Sequence, residues 1–288
     1  MIWIIGCAGM LGSEIASLLK GRECAWIGSD RECDIRRADD LLGFVDGRRI
    51  DWIINCAAYT SVDKAEEEFD LAWSLNAQGA GIIAGIAARL GARLIQISTD
   101  YVFDGTALTP YREDSPCNPV SAYGRTKAEG EVLVARNCPR SFIVRTAWLY
   151  GKHGPNFVRT VIRLLRERES LRVVSDQIGS PTWTRDLSNA LLHIVESDSA
   201  SFGTYHFTDE GEISWYEFAC AIRDIGAELG LVPAGREIVP VSTAEYPTKA
   251  KRPGYSVLSK DLIASCFGIQ PPFWIESLRS FLSEEPQQ

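Results

Sequence analysis

Short apolar runs, spaced by stretches of helical periodicity, constrain this chain more than any other feature. IWII (2–5), CAWIG (24–28), DWIINCAA (51–58) and ARLIQIS (92–98) are each long enough for one buried strand. Between the first two lies a glycine-rich turn and a helix from about Met10 to Lys20. Before the fourth, FDLAWSLNAQGAGIIAGIAARLG holds its apolar residues at helical spacing and stops at Gly91, a C-terminal cap. SFIVRTAWLYG (141–151) reads as a fifth buried strand ending in a loop. Strands alternating with helices build βαβ units, so the expected fold class is α/β with a doubly wound parallel sheet. Beyond residue 150 the alternation breaks up at GKHGPN, DQIGSPT and AEYPTKAKRPG, with helices expected near 156–168 and 185–196 and one returning strand at GTYHFT (203–208).

Length and charge narrow what such a sheet serves. The 288 residues suit one large domain or a domain with a smaller appendage. A net charge of −8 argues against nucleic acid or an acidic membrane as partner, because both are met by basic surfaces. An anionic ligand must then find a local positive pocket. The eight cysteines form no CxxC pair, and with only three histidines in the chain neither a zinc site nor a disulfide framework is expected. Buried thiols fit a reducing compartment, and no signal-peptide pattern or apolar run near ~18 residues is read from the sequence, so a cytoplasmic protein without a membrane span is expected.

GCAGMLG carries Gly6, Gly9 and Gly12 directly after the first strand and at the mouth of the first helix. That is the setting of a dinucleotide-binding turn: glycines allow close backbone approach, and helix N-terminal N–H groups face a pyrophosphate. The expected layout is a Rossmann-type dinucleotide-binding domain over 1–150 plus about 184–208. A smaller interleaved C-terminal substrate-binding lobe takes about 151–183 and 209–288. The second strand ends in Gly28-Ser29-Asp30-Arg31, where an acid suits a free ribose 2′-hydroxyl and a serine with an arginine suits a 2′-phosphate. Which of Ser29 and Asp30 faces the ribose turns on a one-residue register. NADPH is the expected cofactor, with NADH also accepted.

SAYGRTKAEGE sets Tyr123 and Lys127 four apart on a helix, hence on one face. A phenol titrates near ~10, and a neighbouring ammonium favours its ionised form, which suits proton exchange. The stretch STDYVFDG places Ser98, Thr99 and Asp100 at the carboxyl end of the fourth strand, the edge where open α/β sheets bind ligands. There the Thr99 hydroxyl can hold a carbonyl oxygen beside the tyrosine.

Glycine turn, strand-end hydroxyl and Tyr/Lys helix, in that order, resemble the extended short-chain dehydrogenase/reductase superfamily. NCAAYTSVDKAE, STDYVFDG, YGRTKAEGE, RTAWLYG, DQIGSPT and YPTKAKRP together resemble, within it, the dTDP-4-dehydrorhamnose reductase family, over residues 6 to about 256. The resemblance implies reduction of the 4-keto group of dTDP-6-deoxy-L-lyxo-4-hexulose to dTDP-L-rhamnose, for cell-surface polysaccharide. It makes Tyr123 the proton donor, Thr99 the support of the oxygen, and Lys127 the ribose ligand. It assigns cofactor contacts to Gly6, Gly9, Met10, Leu11 and Gly12, to Ser29 and Arg31, to Asp34 and Ile35, and to Ala58, Tyr59 and Thr60. Substrate contacts fall to Thr99, Asp100 and Trp148, with the diphosphate at Lys249 and Arg252 in the basic stretch KAKRP. Asn76, a poor helix-interior residue, either holds backbone near the site or is a tolerated surface residue.

Three points stand out against that family, one of them Asp104-Gly105 after YVF, a turn expected near the site with no role assigned. Tyr255 precedes Ser256 where the family commonly carries Asn-Ser. Glu14 matches the first of two glutamates that bridge some family dimers through a metal, but Arg185, beside Asp186, stands at the second, so no metal is expected and the choice between monomer and homodimer stays open. The same motifs also suit another nucleotide-sugar ketoreductase or epimerase. A non-catalytic subunit resembling the regulatory subunit of methionine adenosyltransferase is the reading from a different class.

Overall fold

The computed structural model describes residues 1–285. Strands β1 (Ile2–Ile5), β2 (Trp26–Ser29), β3 (Trp52–Asn55), β4 (Arg93–Thr99) and β5 (Ser141–Thr146) join the strand Gly203–His206 in one six-stranded sheet. Every pairing is parallel, and the order runs Gly203–His206, β5, β4, β3, β1, β2. The chain steps outward from β1 to β2 and then crosses back to β3, so the switch point lies between β1 and β3. Ligands of open α/β sheets bind outside the carboxyl ends at such a point.

Both faces of the sheet are covered, which is why its strands read as continuous apolar runs. On one face Ile4, Ile54, Ile95 and Val144 pack with Ile15 of helix α1 (Met10–Leu19) and Leu187 and Leu191 of the helix Thr184–Glu196. On the other, Ile5, Ile53 and Leu94 meet Ile83, Ala84 and Ala87 of the helix Ala80–Leu90, which ends on Gly91 in the left-handed conformation. The run Phe69–Leu90 is continuous helix and apolar enough, at 22 residues and mean hydropathy 1.2, to match a membrane span by length and composition. That corrects the reading that no apolar run nears this length. Here the run packs against the sheet and against the helix Ala122–Asn137.

The second half has its own core, centred on Phe218 and built from the helices Phe157–Glu167, Trp215–Glu228 and Trp274–Ser283. A parallel pair of short strands, Ser170–Val174 and Glu237–Val241, borders it. Two segments unreadable from local pattern are helical: Ala38–Phe44 packs on the helix Ala80–Leu90, and Asp261–Phe267 lies beside the edge strand Gly203–His206.

Candidate active site

The glycine turn closes by backbone contact alone. Gly6 sits at φ 80°, and a Cβ there would lie 2.8 Å from the Ala57 nitrogen. A Cβ on Gly12 would lie 2.2 Å from the Gly6 oxygen. Gly9 caps α1 without any side-chain hydrogen bond, leaving the first-turn N–H groups open toward the cleft. The side chain of Leu11 is buried in the core, so it can offer a ligand only backbone.

At the end of β2 the register resolves in favour of the acid. Ser29 is fully buried and accepts a hydrogen bond from the Trp3 indole at 2.9 Å, so its hydroxyl is turned away from any ribose. Asp30 instead accepts from the Ala8 amide of the glycine turn at 3.0 Å. The Ser29 hydroxyl expected at the ribose therefore faces the core, and Asp30, with exposed Arg31 beside it, is the strand-end side chain that meets the glycine turn. Asp34 is committed to Arg36, whose Nη2 donates to it at 2.6 Å, and those hydrogen bonds hold its carboxyl down at about 2. Ile35 packs in the core below. Ala58, Tyr59 and Thr60 follow β3 at the switch point and remain partly or fully exposed.

Asn76 ties this segment to the catalytic helix. It lies in a π-helical turn, Ser74–Gly79, that widens the helix and lets its side chain reach inward. Its amide accepts from the Tyr59 N–H at 2.8 Å, donates to the Tyr59 carbonyl at 3.0 Å, and donates to the Thr126 hydroxyl at 3.1 Å.

Tyr123 and Lys127 project from the helix Ala122–Asn137, whose start is fixed by Ser121 capping the Gly124 amide at 3.1 Å and by Glu66 accepting from the Ala122 amide at 2.7 Å. Tyr123 is half-buried, and Tyr101 meets it edge-on with ring centres 5.6 Å apart. Burial pushes the phenol up, a hydrogen bond with Thr99 opposes this, and the charges of Asp100 and Tyr101 add to the rise. Helical spacing predicts an ammonium that lowers the phenol; here the Lys127 Nζ donates to the Ile97 carbonyl at 2.6 Å instead. The outcome is a phenol that keeps its proton at neutral pH, the state a proton donor needs. Burial lowers Lys127 to about 8.

Thr99 ends β4 and donates to Asp100 Oδ1 at 2.9 Å. Asp100 is buried, its Oδ2 has no hydrogen-bond partner, and burial raises it to about 6 against the hydroxyls of Ser256 and Thr99. Trp148 holds φ 46°, a strained conformation for a bulky residue, and stacks on Trp215 with ring centres 3.6 Å apart. One indole face is therefore already covered, and what Trp148 can offer a sugar is its remaining surface.

Lys249 and Arg252 arrive from the second lobe, already paired. Lys249 meets Glu67, while Arg252 contacts Asp63 at 3.0 Å and donates to the Tyr101 hydroxyl at 3.3 Å. Arg252 thus touches the ring that borders Tyr123, and exposed Lys249 stands further out. The partners Asp63, Glu67 and Tyr101 escape a reading by motif; the acidic run DKAEEE facing the basic run KAKR is the available signal. Tyr255 turns outward to Glu212 at 2.9 Å, leaving Ser256 at Asp100. Asp104 accepts from Tyr111, whose hydroxyl takes three amides of the 105–107 turn, and Gly105 lies against Pro253 too closely for a Cβ. Glu14 is buried and accepts from Arg185 Nε at 3.2 Å, and Arg185 also pairs with Glu284. Asp186 accepts from Ser277.

A six-stranded parallel sheet with a glycine turn at its switch point and a hydroxyl, a tyrosine and a lysine on the next edge defines the class of Rossmann-type nucleotide-sugar reductases and epimerases. The family model described as RmlD substrate binding domain matches residues 1–286. A dTDP-4-dehydrorhamnose reductase of Aggregatibacter actinomycetemcomitans is 41% identical, over 96% of each chain. Among solved structures, a dTDP-4-dehydrorhamnose reductase of Clostridium acetobutylicum is 42% identical with a TM-score of 0.92, covering 98% of each chain. One from Bacillus anthracis, in complex with NADP, is 39% identical with a TM-score of 0.92 over 99% of each chain. This chain belongs to the RmlD, or dTDP-4-dehydrorhamnose reductase, family.

Proposed function

We propose that this chain reduces the 4-keto group of dTDP-6-deoxy-L-lyxo-4-hexulose with NADPH, giving dTDP-L-rhamnose. The single observation that carries the reading is the placement of Tyr123, on the helix Ala122–Asn137 and against Tyr101, next to Thr99 at the carboxyl end of β4. When bound beside them, NADPH supplies the hydride to C4. Tyr123 gives its proton to the C4 oxygen as charge develops there, and Thr99, turning its hydroxyl from Asp100, donates a hydrogen bond to the same oxygen, so the ketone becomes an alcohol. Lys127 holds the nicotinamide ribose. The open N–H groups of α1, with Gly6, Gly9 and Met10, take the pyrophosphate, and Ala58, Tyr59 and Thr60 line its path.

On the sugar-nucleotide side, Arg252 releases Asp63 to meet the diphosphate, with Lys249 at the rim, while Asp100 and Trp148 border the deoxysugar. Asp30 at the strand end suits a free 2′-hydroxyl and Arg31 a 2′-phosphate, so NADH is accepted beside NADPH; the Bacillus anthracis relative is in complex with NADP. The enzyme works in the cytoplasm as a monomer or homodimer, which light scattering would distinguish. The test of the activity is oxidation of NADPH, with NADH in parallel, by purified protein given the keto-sugar made in situ. Formation of dTDP-L-rhamnose is expected. Cofactor binding without oxidation would overturn the substrate and move the search to other 4-keto nucleotide sugars.

A further inference from the structure

Directly beneath the catalytic groups lies a buried charged layer that the reaction leaves unused. Tyr123, Lys127 and Glu131 recur every fourth residue on the helix Ala122–Asn137 and so share a face. Lys127 and Glu131 are 5% and 7% exposed. Glu131 is held from three directions: Oε1 accepts from Ser98 at 2.5 Å and from Arg145 Nε at 2.9 Å, and Oε2 accepts from Arg145 Nη2 at 2.7 Å. Ser98, Arg145 and His206 stand opposite one another across β4, β5 and the strand Gly203–His206. The row one residue further on begins with Thr99, opposite Thr146.

A buried ion pair is poor support for a fold, since apolar residues of similar volume commonly serve as well. Its placement is informative here. The ammonium of Lys127 is buried with the Ile97 carbonyl as its hydrogen-bond acceptor, and the carboxylate one helical turn away favours its charge. We propose that Glu131, clamped by Arg145 and Ser98 one helical turn below, is a positioning residue that acts through Lys127 by keeping its ammonium charged on the cofactor side of the cleft, with Arg145 setting how strongly it does so. This rests on the reductase reading above.

The other groups facing this layer are accounted for. Cys56 faces Lys127 from the end of β3, and burial holds its thiol at about 12, neutral at working pH. Around Arg145 stand Cys117, raised by burial, and His206, pulled down to about 3 by burial and the guanidinium, so both are uncharged. Glu113 is half-buried, burial pushes its carboxyl up, and its carbonyl accepts from Arg145 at 3.4 Å. Lys260 acts on His206 from further off. Lys127 is thus the buried cation near the cleft that burial brings down to about 8, so on this proposal the alkaline limb of turnover follows its charge.

The experiment is the pH profile of kcat for NADPH-dependent reduction by the full chain. Glu131→Gln removes the opposing charge, so the alkaline limb moves to lower pH by about half a unit or more, while NADPH affinity at about pH 6.5 changes less than about threefold. Arg145→Gln frees the field of Glu131 and moves the limb the other way. Glu131→Asp, which keeps the charge, returns it toward the original. Limbs that stay in place while kcat and melting temperature fall would show a structural role and overturn the proposal. Should Glu131→Gln not fold, Ser98→Ala leaves every charge in place and loosens the carboxylate: a displaced limb supports the proposal, an unmoved one overturns it. If the unaltered protein fails to reduce the sugar, the functional reading falls by itself, and the same displacements are then read from the pH dependence of NADPH binding.

Discussion

The two sides of the cleft are made of different materials. The nucleotide side is backbone: Gly6 and Gly12 approach other main chain so closely that no side chain fits, and the α1 amides are left bare. The sugar side is side chain: Arg252 with Asp63, Lys249 with Glu67 and the Trp148–Trp215 stack come from segments far apart in the chain. A cofactor common to many enzymes is met by shape and dipole, which tolerate no added atom. On the proposed function, a particular sugar nucleotide is met by paired charges and rings, with Arg252 exchanging Asp63 for the diphosphate.

Substitutions can break or sharpen that contrast. The largest effect is expected where the sides meet: Tyr123→Phe should lower kcat by ~10²–10⁴-fold while NADPH affinity, measured by fluorescence, stays nearly unchanged. Gly12→Ala tests the backbone side. Its Cβ must displace main chain, so NADPH affinity should fall about tenfold or more, ~1.4 kcal/mol, with little dependence on salt. Arg252→Ala tests the other side and should raise KM for the sugar nucleotide about tenfold, an effect that shrinks at high salt. Lys249→Ala, at an exposed pair, should change KM less than about threefold. Equal salt dependence on both sides would erase the distinction.

A separate effect, outside the contrast between the two sides, concerns stability. Asp100 is raised in the fold to about 6, so between its unfolded value near ~4 and that point the folded state holds more protons. Stability contributed at low pH is lost as pH rises through this window. Asp100→Asn should therefore raise the melting temperature at about pH 7.5 relative to about pH 5, by an amount bounded at roughly 3 kcal/mol, since a gap of one pH unit between folded and unfolded titration corresponds to about 1.4 kcal/mol. A melting curve with no pH-dependent gain would show that the hydrogen bonds to Thr99 and Ser256 outweigh burial.

Much of the nucleotide side is legible from residues alone. Strands that are apolar on both faces, a glycine turn after the first of them, and a tyrosine and lysine four apart are local patterns, and the structure places them at one sheet edge. Ser29 is misassigned from sequence because two adjacent residues of a strand point to opposite faces, and nothing in Gly28-Ser29-Asp30 says which faces the core. Trp3, 26 residues away, decides it by taking the serine hydroxyl. The lysine's expected effect on the tyrosine fails for a related reason. Helical spacing brings the two side chains to one face, but the Ile97 carbonyl on a neighbouring strand determines where the ammonium points.

The sequence by itself determined the sheet, the turn and the register of the catalytic helix, because backbone geometry and hydrophobic period act over a few residues. Which carboxylates neutralise Lys249 and Arg252, and how Ser98, Glu131 and Arg145 come together, only the tertiary structure decided. Charges carry no period and act through space, so their partners are fixed by how the chain folds back on itself.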